Sequence, residues 1–332
     1  MRVLITAPLT DSGIKKLQDA GLEVSYQSWL ETGKLHMSDS LLQKIKDDNF
    51  EIVIVEGDEI KEEIIEQTEL KLIGSVRGSP NNISLQAATD NKIPVLAVPG
   101  RNTIAVAEHT IALMLAQARN IVAAERFLKN DFFVDDFKDF ANMYTSLMGI
   151  ELYGRTVGII GLGQIGFEVA KRLQGFGVKI LVMDPYVEPQ KVEEVCGRIV
   201  ELDELLTQSD IITIHCPPTD ETQGMLGAKE FEKMKRSAVL INTARASITD
   251  EFALLEALKK GVIAGAGLDV FSMEPVDCDN EFLELDNVTV MPHMGGNTVE
   301  TVQRQSESIV SGILAFLKGE KPPNILNPEV FS

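Results

Sequence analysis

The chain is poor in the residues that carry most metal and disulfide chemistry. Its 332 residues include three cysteines, four histidines and one tryptophan. Cys196, Cys216 and Cys278 stand far apart without metal-ligand spacing, so no metal site is expected. An odd, sparse count fits a reducing compartment. Positive charge is also scarce: 31 Lys and Arg face 50 Asp and Glu, for a net charge of −19. A field of that sign repels phosphate backbones and sets nucleic acid aside as a partner. The most apolar long stretch, "TIAVAEHTIALMLAQARNI", is interrupted by Glu108, His109 and Arg119, so no membrane span is expected. The N-terminus, "MRVLITAP", reads as a first strand and lacks the apolar core and cleavage site of a signal peptide. The chain is read as cytoplasmic.

What is present is ordinary globular composition, 44% hydrophobic and 24% charged, in a length that suits about two domains. The first hundred residues alternate short apolar runs ("RVLITA", "EVSY", "EIVIVEG", "LKLIGSV", "PVLAV") with amphipathic stretches. Asp11 and Ser38 stand where helix N-caps are expected. Such alternation predicts a parallel sheet with helices on both faces. A long helical pattern runs from about Thr103 to Lys129, followed by a Phe- and Asp-rich segment, "NDFFVDDFKDFANMYTSLMGIELYG", that reads as irregular. The alternation restarts at "RTVGIIG" and continues through "KILVMD", "DIITIHC", "AVLINTA", "AGAGLD" and "VTVMPH". A last helix spans about Val299 to Lys318.

Gly161-x-Gly163-x-x-Gly166 lies directly after a strand and opens a helix. In a dinucleotide fold the first glycine permits the tight turn, the second lets the pyrophosphate approach, and the third lets helix and strand pack closely. The helix N-terminus offers amide donors to the phosphates. The next strand ends at Asp184, whose carboxylate would accept the adenosine ribose hydroxyls and repel a 2′-phosphate. No Arg or Lys follows in "PYVEP", so NAD is expected over NADP.

Further on, "INTARA" places Arg245 past one strand, "GAGLDVFSMEP" places Asp269 and Glu274 past the next, and "MPHMGGNT" places His293 past the third. Strands of a doubly wound sheet present their carboxyl ends on one rim, which brings an Arg, a Glu and a His toward one crevice. Hydride transfer between an alcohol and a nicotinamide uses all three types. A bidentate Arg holds a substrate carboxylate. A His exchanges the hydroxyl proton near neutral pH, and a neighbouring carboxylate fixes its tautomer and favours its charged form.

Together these motifs resemble the D-isomer-specific 2-hydroxyacid dehydrogenases, and most of all their phosphoglycerate dehydrogenase-like branch. The resemblance spans almost the whole chain and includes "VRGSPNNISLQAATDNKIPVLAVPGRNTIAVAEHTIALML". It implies that Arg245 binds substrate, Glu274 supports the histidine and His293 donates or accepts the proton. It further implies that Asp269 holds the nicotinamide carboxamide, that Gln164 and Ile165 cover the pyrophosphate, and that Cys216, Thr243 and Ala244 lie along the cofactor. The implied fold is α/β with two doubly wound parallel-sheet domains, a Rossmann coenzyme domain (104–296) inserted into a flavodoxin-like substrate domain split as 1–103 and 297–332. A homodimer through the coenzyme domain is implied as well. The chain has Ala246 where many members have Gly, and it ends without the C-terminal domain through which some phosphoglycerate dehydrogenases respond to serine, so such feedback is not expected.

In the family, backbone amides of the loop corresponding to "SVRGSPNN" hold the substrate carboxylate, a role that falls here to Gly78 and its neighbours. Arg77 adds a guanidinium, which either clamps the same carboxylate, meets a second anionic group such as a phosphate, or pairs with a nearby acid. Two rival readings use related folds. C-terminal binding proteins keep NAD binding as a sensing function, although this chain has no basic tail. NAD-dependent formate dehydrogenases have Gln in place of Glu274.

Overall fold

A computed structural model of the chain describes residues 1–130 and 134–331. They form two compact units, one of Met1–Arg101 with Thr298–Ser332 and one of Asn102–Asn297. In the first unit, β1 (Arg2–Ile5), β2 (Glu23–Tyr26), β3 (Ile52–Val55), β4 (Leu72–Ser75) and β5 (Val95–Leu96) form a parallel sheet in the order β2-β1-β3-β4-β5. This is the flavodoxin-like order, with its topological switch between β1 and β3. The central strand β3 reads "IVIV" and is buried throughout, as a strand covered on both faces must be. Leu41, Ile45, Ile64 and Ile65 cover one face. Leu17 covers the other together with Ile309, Val310 and Ile313 of the C-terminal helix Val299–Leu317. That helix completes the unit's core, and Ser306 Oγ accepts the Thr10 N–H at 2.9 Å.

The second unit holds β6 (Thr156–Ile160), β7 (Lys179–Met183), β8 (Gly197–Ile199), β9 (Ile211–Ile214), β10 (Val239–Asn242), β11 (Gly265–Leu268) and β12 (Val288–Val290). Their order is β12-β11-β10-β9-β6-β7-β8, and every pairing is parallel. This is a doubly wound dinucleotide-fold sheet extended by one strand, with its switch between β6 and β9. The helices Thr103–Ala118 and Gln164–Leu173 pack on one face through Ile111, Met114, Val169 and Leu173. Leu205, Phe231, Leu254 and Leu258 cover the other.

Three sequence expectations need correction. The caps lie one residue earlier than expected: Thr10 caps the Asp11–Asp19 helix by accepting the Gly13 N–H, and Asp11 is already helical. Ser38 is likewise the first helical residue, and Met37 occupies the cap without a side-chain bond. The pattern from Thr103 to Lys129 is two helices, because Asn120 takes a left-handed φ of 51° between Ala118 and Ile121. Asn tolerates that conformation better than most residues. The segment expected to be irregular contains the helix Phe137–Ser146, capped by Asp136 on the N–H groups of Lys138 and Asp139. Asp131–Phe133 of that segment lie outside the described residues.

Candidate active site

The glycine loop follows β6. Gly161 has φ +89°, and a Cβ there would stand 2.7 Å from Cys216 N. A Cβ at Gly166 would overlap Gly161 O, so this glycine lets the helix close on the strand end. A Cβ at Gly163 would meet nothing within 4 Å, which leaves the middle of the loop open. Gly163 caps the Gln164–Leu173 helix without any side-chain bond. The N–H groups of Gln164, Ile165 and Gly166 therefore stand at an uncapped helix N-terminus, where anions bind. At the end of β7, Asp184 Oδ2 accepts the Leu162 N–H at 2.7 Å and Oδ1 accepts the Tyr186 N–H at 2.9 Å. A carboxylate has further lone pairs beyond these two bonds. The open glycine, the uncapped amides and the acid beside them fit a dinucleotide without a 2′-phosphate.

Cys216 and Thr243 follow β9 and β10, and Ala244 comes next. Burial pushes the Cys216 thiol up to about 11. Thr243 is buried and shares a 2.8 Å hydrogen bond with Thr110 of the Thr103–Ala118 helix. The Ala244 N–H donates to Asn242 Oδ1 at 3.0 Å. No motif signals His215, which precedes Cys216. Its ring lies 2.9 Å from Thr213 Oγ1, and burial pushes its imidazole down to about 3, so it stays neutral. The Tyr186 hydroxyl, which donates to Glu221 Oε2 at 2.9 Å beside Asp184, is likewise unmarked in the sequence.

The strands β10, β11 and β12 are neighbours in register, so the residues following them share one rim. His293 Nδ1 lies 2.6 Å from Glu274 Oε2, and Glu274 Oε1 accepts the Phe271 N–H at 3.1 Å. The carboxylate is thus fixed from behind and oriented on the imidazole. His293 itself has φ +55°, a left-handed conformation that turns the chain sharply after β12. Arg245 is exposed at the neighbouring strand end, and its Nη1 donates to Ala244 O at 2.6 Å. Ala246 starts a 3-10 turn with a buried methyl and without a positive φ, so the departure from Gly brings no backbone strain. Asp269 is 1% exposed; its Oδ1 accepts the Met294 N–H at 2.7 Å and its Oδ2 the Gly295 N–H at 2.8 Å.

Arg77 and Gly78 lie in the first unit, after β4. Arg77 Nη1 donates to Asn81 Oδ1 at 3.0 Å, and Arg77 O accepts the Val98 N–H at 2.9 Å. A Cβ at Gly78 would stand 3.0 Å from Pro99 Cα, so the loop runs close against that segment.

Residues 111–295 match the model of the D-isomer specific 2-hydroxyacid dehydrogenase NAD-binding domain. Among similar proteins is a D-3-phosphoglycerate dehydrogenase of Archaeoglobus fulgidus, 39% identical over 98% of this chain and 59% of that protein. A glyoxylate reductase of Korarchaeum cryptofilum is 34% identical over 99% of this chain and 96% of its own. A solved structure from Thermus thermophilus superposes with a TM-score of 0.86 at 32% identity, covering 98% of this chain and 100% of that one. The chain belongs to the D-isomer specific 2-hydroxyacid dehydrogenase family, an oxidoreductase family with an NAD-binding domain. It spans 59% of the length of the archaeal phosphoglycerate dehydrogenases it matches. Among the described residues, no helix is long and apolar enough to cross a membrane.

Proposed function

We propose that the chain is an NAD-dependent dehydrogenase that interconverts a D-2-hydroxy acid and its 2-oxo acid. The observation that carries this reading is the 2.6 Å contact between His293 Nδ1 and Glu274 Oε2, on the rim that also bears Arg245. When bound, NAD supplies the hydride acceptor, and its reduced form the hydride donor. Gly161, Gly163, Gln164, Ile165 and Gly166 hold its pyrophosphate, Asp184 its adenosine ribose, and Cys216, Thr243 and Ala244 flank the rest. The Arg245 guanidinium grips the substrate carboxylate in a two-point contact. Glu274 accepts the His293 Nδ1–H, which leaves Nε2 to take the hydroxyl proton in oxidation and return it in reduction. The backbone amides of Gly78 and its neighbours, with Arg77, bind the anionic end of the substrate. Asp269, whose oxygens accept the Met294 and Gly295 N–H groups, keeps further lone pairs for the nicotinamide carboxamide.

The homodimer belongs to the same reading. Phe137, Phe140 and Tyr144 line one face of the Phe137–Ser146 helix with 84%, 44% and 67% of their surface exposed, an aromatic area that a second copy would cover. Three free thiols fit a cytoplasmic location.

The test is loss of NADH absorbance with glyoxylate, hydroxypyruvate, pyruvate and phosphohydroxypyruvate. Turnover with any of them supports the reading, whereas NADH binding without turnover would favour a sensing protein. Arg77→Ala separates the substrate classes. A KM raised about tenfold more for phosphohydroxypyruvate than for glyoxylate identifies a phosphorylated substrate. Equal losses leave Arg77 on the shared carboxylate.

A further inference from the structure

We infer that His109 is a positioning residue that holds the chain bearing His293 in place through Asp269; this rests on the reading of His293 as the proton-transfer group. His109 sits in the Thr103–Ala118 helix, a helix whose other inward residues are mostly apolar. Polar groups on its inward side meet the ends of the neighbouring strands. Thr110 bonds Thr243 beyond β10, and Gln117 bonds Thr289 Oγ1 at 2.9 Å in β12 and Asn287 O at 2.8 Å just before it. His109 supplies the corresponding contact to the end of β11, because its Nε2 lies 3.2 Å from Asp269 Oδ1. Its side chain is 16% exposed, and Nε2 is buried and makes no hydrogen bond among the described residues. The contact is an ion-pair approach and does not meet hydrogen-bond geometry.

The Asp269 carboxylate is the common anchor. It is 1% exposed and receives the N–H groups of Met294 and Gly295, the two residues immediately after His293. An ionised carboxylate only accepts, so His109 must present Nε2–H to it, and either the Nε2–H neutral tautomer or the imidazolium does so. The packing leaves little slack: a Cβ at Gly295 would stand 2.9 Å from Asp269 Oδ2 and 3.6 Å from His109 Cδ2. His293 holds its left-handed φ of 55° directly before this anchor. A residue in that conformation persists only where its surroundings over-determine it. The anchor supplies that constraint on one side of His293, and Glu274 supplies it on the other. Without a donor at 109, Asp269 loses its third partner, the Met294–Gly295 amides loosen, and the imidazole is presented less well.

Three measurements on the intact chain test this. In His109→Ala, hydrogen exchange at the Met294 and Gly295 amides should rise at least about tenfold over wild type, because the close contact that supports the buried Asp269 carboxylate is lost. In the same variant kcat should fall about tenfold with NADH Kd nearly unchanged, since the defect is in presentation rather than in cofactor binding. His109→Gln, which retains an N–H donor, should recover most of both losses, and His109→Ala should cost little more in a His293→Ala background. Wild-type exchange at the two amides in His109→Ala, or no recovery in His109→Gln, would overturn the inference. A His293→Ala enzyme with normal turnover would instead overturn the proposed function, while the exchange result would still report on the anchor alone.

Discussion

Replacing Glu274 with Gln keeps the length of the side chain and its ability to accept a hydrogen bond, but removes the charge 2.6 Å from His293 Nδ1. In the proposed reaction His293 takes up a proton during alcohol oxidation, and Glu274 stabilises the imidazolium that forms. With charge centres roughly 4 Å apart, the attraction lies between about 1 kcal/mol in water and about 4 kcal/mol near a protein surface. The side chains are 43% and 36% exposed, so solvent screening pulls the value toward about 1–2 kcal/mol. That corresponds to roughly a five- to thirtyfold fall in kcat for oxidation. His293→Ala removes the acid/base itself and should cost about 10²–10⁴-fold. The decisive variant is the double one. If Glu274 acts only through His293, adding Glu274→Gln to His293→Ala should change kcat by less than about twofold, and the coupling energy should equal nearly the whole Glu274→Gln effect. The assay is steady-state oxidation at saturating NAD, with NADH affinity measured separately by fluorescence. If Glu274→Gln costs the same factor with and without His293, the carboxylate acts on something else and the pair is not the catalytic unit.

Asp184 should make NAD the preferred cofactor. Asp184→Ala should narrow the ratio of kcat/KM for NAD over NADP by at least about tenfold through loss of like-charge repulsion, and equal values for both cofactors in the wild type would contradict the assignment. His215 makes folding stability depend on pH. Its folded-state pKa is depressed from 6.5 to about 3, so the folded chain excludes a proton that the unfolded chain binds. Stability is full above pH 6.5 and falls as pH drops toward 3, by at most about 1.4 kcal/mol per unit from this group. Urea unfolding between about pH 7 and pH 5 should show a shallower decline for His215→Asn; identical slopes would mean that the ring is not buried neutral.

The alternation of strands and helices was legible because buried parallel strands carry continuous apolar runs, as in "IVIV" and "TVGII". Once the alternation is read, topology alone makes the residues after β10, β11 and β12 neighbours. Helix ends were less legible. At Thr10 and Met37 the choice of cap depends on where the first turn closes, which adjacent polar residues do not settle. The Phe137–Ser146 helix was missed although Phe137, Phe140 and Tyr144 stand at helical spacing, because the segment's Phe- and Asp-rich composition outweighed that period. His109 appeared only as an interruption of an apolar helix. Its partner, Asp269, lies 160 residues away in sequence, and no local spacing reveals such a pairing.

The seven-stranded sheet also dictates when the reactive rim can exist. Arg245, Glu274 and His293 arrive on three successive strands, and the last of these, β12, is a three-residue strand at one end of the sheet. In chain order Asp184 precedes His293 by more than a hundred residues, so the proposed proton-transfer residue is among the last of the site to be synthesised. The same ordering acts in reverse under stress. Fraying begins where few neighbours hold a strand, and at β12 it would displace the residue proposed to carry the proton while most of the hydrogen-bonded sheet stands.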